Sequence, residues 1–66
     1  MTITVNGKKR PLGKAETLAQ LLDALSVNVS KKAVELNGQI IPPSALKTTP
    51  VAANDLVEII QFVGGG

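Results

Sequence analysis

The side chains of this 66-residue chain offer little with which to run a reaction. Cysteine and histidine are absent, which removes the usual thiol nucleophile and the commonest general base. The carboxylates Glu16, Asp23, Glu35, Asp55 and Glu58 are scattered over different predicted elements and fall at no metal-ligand spacing. This inventory argues against a stand-alone enzyme and against a bound metal. What remains is the run Gly64, Gly65 and Gly66. It is no phosphate loop, because no helix follows whose N-terminus would receive an anion. Read as a substrate, it makes chemical sense. Residues 63–66 would thread a narrow channel and, at about 3.3–3.6 Å per residue, hold the terminal carboxylate roughly 13 Å from the body. An α-carboxylate is ionised at neutral pH and is a poor electrophile, so its use demands activation, as a mixed anhydride with AMP. ATP and a partner enzyme are implied, with Gly66 the reacting residue and Gly64 and Gly65 its access. Three glycines also fit a frayed terminus or a cloning remnant. The segment leading into them has to separate these readings.

That segment, residues 56–63, is the most strand-like stretch in the chain. With Glu58 facing water, the period of two puts Leu56, Ile60 and Phe62 on its side and turns Val57, Ile59 and Val63 toward a core. Apolar side chains thus stand on both faces. A single sheet with a helix on one side has no internal use for a second apolar surface, so Leu56, Ile60 and Phe62 read as a docking patch beside the tail. The competing reading packs Phe62 under a loop.

The elements that must carry this strand follow from the rest of the chain. Residues 1–5, Met-Thr-Ile-Thr-Val, alternate as a half-buried strand, and Asn6-Gly7 favours the tight type I′ turn that folds the chain back into a second strand at residues 8–12. Thr17-Leu-Ala-Gln20 has the form of a capping box, which starts a helix. Behind it Leu18, Leu21, Leu22 and Leu25 form one apolar stripe, with Gln20 and Asp23 facing water. Short apolar runs at 33–36 and 39–41 flank Asn37-Gly38 as a second hairpin, and Pro42-Pro43 ends it for want of amide hydrogens. Ser44 is placed to cap a single helical turn through Leu46 and Lys47. Asn54-Asp55 supplies the turn before the last strand. One helix across one face of a mixed sheet of four to five strands satisfies both patterns, an α+β roll of the β-grasp type. The expected organisation is a folded body over residues 1–63 and a flexible glycine tail at 64–66.

Composition narrows the setting. A chain this short buries only about 60% of the surface exposed by its unfolded form, and it has no disulfide to help. Its longest apolar runs fall far below the roughly 20 residues of a membrane span, and residues 1–6 lack the apolar block of a signal peptide. Absence of cysteine suits a reducing compartment, and the cytoplasm is the expected location. Seven basic residues against five acidic ones give a net charge of +2, and Phe62 is the only aromatic ring, so nucleic acid is not an expected partner. The run Lys8, Lys9, Arg10 with Lys14, and the pair Lys31-Lys32, read as solvated edges that discourage strand addition.

Asn37-Gly-Gln-Ile-Ile-Pro42, followed by Asp55-Leu-Val-Glu-Ile-Ile-Gln-Phe-Val-Gly-Gly-Gly66, resembles the ThiS family, the ubiquitin-like sulfur carriers of thiamin biosynthesis. The resemblance covers essentially the whole chain, and the tail block is its specific part. It implies that a ThiF-type enzyme adenylates the Gly66 carboxylate with ATP and that sulfur derived from cysteine then displaces AMP to give a thiocarboxylate. It further implies delivery of that sulfur to a ThiG-type thiazole synthase. Two positions depart from the family pattern. Asn54 stands where glycine is frequent, which is tolerable because asparagine also visits left-handed conformations. Pro43 stands where a basic residue is frequent, so no partner contact by that side chain carries over.

Two other readings stay open at the level of sequence. A MoaD-like carrier for molybdopterin synthase would use the same terminal chemistry, but on a chain that is typically longer. A ubiquitin-like binding module would use the exposed strand face and never meet ATP.

Overall fold

Alternation in the opening residues sends Ile3 and Val5 to one side, where both are buried, and leaves Thr2 and Thr4 on the other. They form β1 (Thr2–Val5), while Met1 lies outside the strand and is 92% exposed. Asn6 and Gly7 then take φ angles of 51° and 80°, the pair of positive values that a type I′ turn requires. The chain returns as β2 (Lys8–Pro11), antiparallel to β1 with Ile3 opposite Arg10 and Val5 opposite Lys8. Leu12, expected as the end of that strand, lies just beyond it and is buried.

The capping box starts α1 (Leu18–Ala24) as read from the sequence. The Gln20 amide donates to the Thr17 hydroxyl at 3.3 Å, and the Gln20 side-chain oxygen accepts from the backbone of Glu16 and Thr17. Leu18, Leu21 and Leu22 are buried, whereas Leu25 caps the helix and is half-buried. The helix closes on a Schellman motif, with the Ser26 amide donating to Asp23 and the Val27 amide donating to the Leu22 carbonyl. Glycine usually fills the left-handed position of that motif, but here Ser26 does so at φ 57°.

A second hairpin joins β3 (Lys32–Leu36) to β4 (Gln39–Ile41), with Asn37 at φ 51° and Gly38 at φ 86°. Pro42 and Pro43 end it. The turn after it is a 3-10 helix over Pro43–Ala45 with Pro42 in the capping position. Ser44 is therefore not its cap. Proline sits at the first helical positions, where its fixed φ suits the turn and its missing amide hydrogen is not needed, so Ser44 falls inside. Leu46, which closes the turn, is buried.

The last strand, β5 (Leu56–Gln61), runs between β1 and β3 in a five-stranded sheet of order β2-β1-β5-β3-β4. It is parallel to β1 and antiparallel to β3, which makes the sheet mixed. Asn54 takes φ 72° in the preceding turn, as its position there demanded. The helix covers one face of the sheet, and Ile3, Val5, Val34 and Val57 meet Leu18, Leu21 and Leu22 in one core. This is the β-grasp roll that the pattern of elements predicts. The computed structural model describes residues 1–61. Residues 62–66 lie outside the described residues, and with them Phe62, Val63, Gly64, Gly65 and Gly66 of the expected site.

Candidate functional site

The glycine run follows β5 in sequence, and β5 is held along most of its length. It has a hydrogen-bonded neighbour on each side, pairing with β1 through Thr4 and Val5 and with β3 from Lys32 to Leu36. The two hairpin turns add side-chain clamps. Asn6 donates its backbone amide to the Val57 carbonyl at 2.9 Å, and its side-chain oxygen accepts from the Ile59 amide at 2.7 Å. The Asn6 side chain thereby continues the β1 side of the ladder after β1 has ended. At the start of β5 the Asn37 side-chain oxygen accepts from the Leu56 amide at 2.9 Å, and its amide group donates to Asp55 at 3.2 Å. Asp55 in turn accepts from the Ala52 amide at 2.8 Å. Both asparagines thus fix the turn through their backbone and hold β5 through their side chains. Only the first property is legible in the sequence.

The alternation in β5 is as expected over the described residues. Val57 is 1% exposed and Ile59 half-buried on the helix side, while Leu56 at 55% and Ile60 at 42% stand exposed on the open side. Register extends this surface beyond the residues picked from sequence. Ile60 lies opposite Ala33, Glu58 opposite Glu35, and Glu35 opposite Ile40, so all of these share the open face. Ile40 is 68% exposed and belongs to the same surface. The open face is therefore apolar at Leu56, Ile60 and Ile40, with Glu35 and Glu58 side by side between them. Nothing in the local sequence near Ile40 signals this. The signal is the turn at Asn37-Gly38, which fixes the register across the hairpin.

On the helix side the same register divides the basic run. Lys8 and Arg10 share the face of Val5 and Ile3, whereas Lys9, opposite Thr4, faces the other way. Lys32, opposite Gln61, joins Lys8 and Arg10 on the helix face at the end where the tail leaves. No helix of the described residues is long and apolar enough to cross a membrane.

Comparison with known proteins adds the identity of the family. The sequence profile of the ThiS family matches residues 3–66. The crystal structure of the thiamine biosynthesis protein ThiS from Geobacter metallireducens is 40% identical, with a TM-score of 0.85 and complete coverage of both chains. A thiazole synthase from Paramagnetospirillum magneticum is 38% identical over the whole of this chain, which spans only 20% of that protein's length. The uncharacterized protein ycf40 of Pyropia yezoensis is 35% identical, with 93% of its length covered. Profile, fold and sequence agree along the chain, which belongs to the ThiS family, the small sulfur carriers of thiamin biosynthesis.

Proposed function

We propose that this chain carries sulfur as a thiocarboxylate on Gly66 and delivers it to a thiazole synthase. A ThiF-type enzyme first joins the Gly66 carboxylate to the α-phosphorus of ATP, releasing pyrophosphate and leaving an acyl adenylate. The adenylate carbonyl is electrophilic where the free carboxylate is not, and AMP is a good leaving group. A persulfide sulfur attacks that carbon and displaces AMP. A thiol then takes the outer partner of the sulfur–sulfur bond as a disulfide, which frees the thiocarboxylate. Its terminal sulfur is a soft nucleophile suited to building a thiazole ring. The carrier contributes reach and slimness through Gly64 and Gly65, and grip through Leu56, Ile60 and Phe62.

The observation that carries this reading is the match of the family profile through the diglycine block, together with the full coverage of a ThiS crystal structure. A thiazole synthase part of which resembles this chain supports pairing with that enzyme. The clamped central strand supports it mechanically, since a tail presented for transfer has to leave from a fixed point.

Mass spectrometry tests the proposal. Incubated with a ThiF-type enzyme, ATP and a sulfur donor, the chain gains the mass difference between sulfur and oxygen. A variant extended by one residue after Gly66 keeps its fold and gains nothing. Loading of the extended variant at the normal rate would refute the terminal-carboxylate mechanism. Ile60→Asp lowers affinity for the adenylating enzyme more than it lowers the melting temperature, because Ile60 is exposed on the open face. Equal damage to both would place Ile60 in the folding core instead.

A further inference from the structure

The helix is too short to cover the whole of its face of the sheet. Beyond its C-terminal end the sheet forms an open concavity of about 410 Å³. Its floor is apolar, from Val5 and Ile59, and Val27 closes the side next to the helix. Its rim carries Lys8, Arg10 and Lys32, and among the described residues no carboxylate lines it. The cations come from two strands that are not neighbours, β2 and β3, with β1 and β5 between them. They were read from sequence as solvated edges, and Lys9, which does face away from the concavity, fits that description. Lys8, Arg10 and Lys32 do not, because the register turns all of them onto one face around one hollow. Gln61, the last described residue before the tail, lines the same hollow.

We infer that this basic hollow at the root of the tail is a docking site for a carboxylate-bearing segment of the enzyme that adenylates the chain. The inference rests on the sulfur-carrier reading and adds a second contact surface to it. Three cations around an apolar floor, with no acid among the described lining residues, are complementary to an acidic side chain flanked by aliphatic ones. Position makes the hollow accessible to that enzyme in particular. Gly66 follows Gln61 by five residues, so an enzyme holding the terminal carboxylate has its surface within roughly 17 Å of the hollow, measured along an extended chain. The phosphates of the reacting ATP meet the terminal carboxylate, at the other end of the tail from Gln61. Finally, the hollow and the apolar open face lie on opposite sides of the same strand end, so an enzyme contacting both grips β5 as a clamp and aims the tail.

Calorimetric titration of the adenylating enzyme with the full chain tests this. Lys8→Glu and Arg10→Glu each weaken binding by about tenfold, as reversal of a charge in a complementary contact does. Lys47→Glu alters net charge equally but lies outside the hollow, and it changes affinity by less than about twofold. Circular dichroism checks that each variant is folded. Should Arg10→Glu fail to fold, Arg10→Gln removes the same cation. Unaltered binding by Lys8→Glu and the folded Arg10 variant overturns the inference, as does a Lys47→Glu loss as large as theirs, which would reduce the effect to net charge. If the wild-type chain is still loaded with sulfur in those cases, the carrier reading stands and only the hollow is lost. Failure of the wild-type chain to bind the enzyme at all overturns both.

Discussion

Asn6 is a single residue with two tasks, and they can be separated. Its backbone adopts φ 51° in the turn, and its side chain accepts a 2.7 Å hydrogen bond from Ile59. Asn6→Gly keeps the backbone conformation available and deletes only the side-chain bond. The expected cost is about 1 kcal/mol, plus a few tenths for the freedom that glycine gains in the unfolded chain. Asn6→Asp, which retains an acceptor oxygen, should stay within about half that loss. Urea denaturation of both variants gives the comparison, and equal stabilities would show that the side-chain bond contributes nothing. This clamp illustrates where sequence reading stops. Asn6-Gly7 announces a turn locally, but the strand that the side chain holds lies 53 residues away, and only the folded topology brings the two together.

The helix shows the same boundary between local and distant information. Its start was legible, because Thr17 and Gln20 satisfy the first amides within a single turn and need nothing else from the fold. Its end was not, since the usual glycine signal is absent and Ser26 takes the left-handed position instead. A residue with a Cβ pays about 1–2 kcal/mol for that conformation. Ser26→Gly should therefore stabilise the protein by about 1 kcal/mol after glycine's extra unfolded-state entropy is subtracted. In a domain of this size that is a rise of about 4–8 °C in melting temperature. A fall would mean that the serine side chain contributes more than its backbone strain costs. The turn at Pro43 gives the opposite lesson. A serine in a favourable composition suggested a cap, but two prolines fixed the start of the turn and left Ser44 within it.

For the molecule as a whole, stability rests on a small set of buried side chains, among them Ile3, Leu18, Leu21 and Val57, each less than 2% exposed. Leu21→Ala removes a fully buried side chain from the contact between helix and sheet. Such truncations cost about 2–5 kcal/mol, which is comparable to the roughly 3–5 kcal/mol that a core of this size supplies. The variant should be largely unfolded at 25 °C by circular dichroism, and a cooperative transition near the wild-type temperature would contradict that reading of the core. Most of this core was legible from the leucine stripe and the alternating strands. The distribution of charge was not. Lys8, Lys9 and Arg10 are one run in sequence, yet the sheet sends the outer two to one side and the middle one to the other. Glu35 and Glu58 are far apart in sequence, yet they are direct cross-strand neighbours on the open face.

That last pairing has an effect on how copies of the protein treat one another. Like charges opposite each other cost the sheet about 0.2–1 kcal/mol, and the open face carries this cost in the midst of Leu56, Ile60 and Ile40. Were two molecules to stack by this face, both pairs of carboxylates would be drawn into a closing, drying seam. That penalty works against self-pairing through the greasy surface.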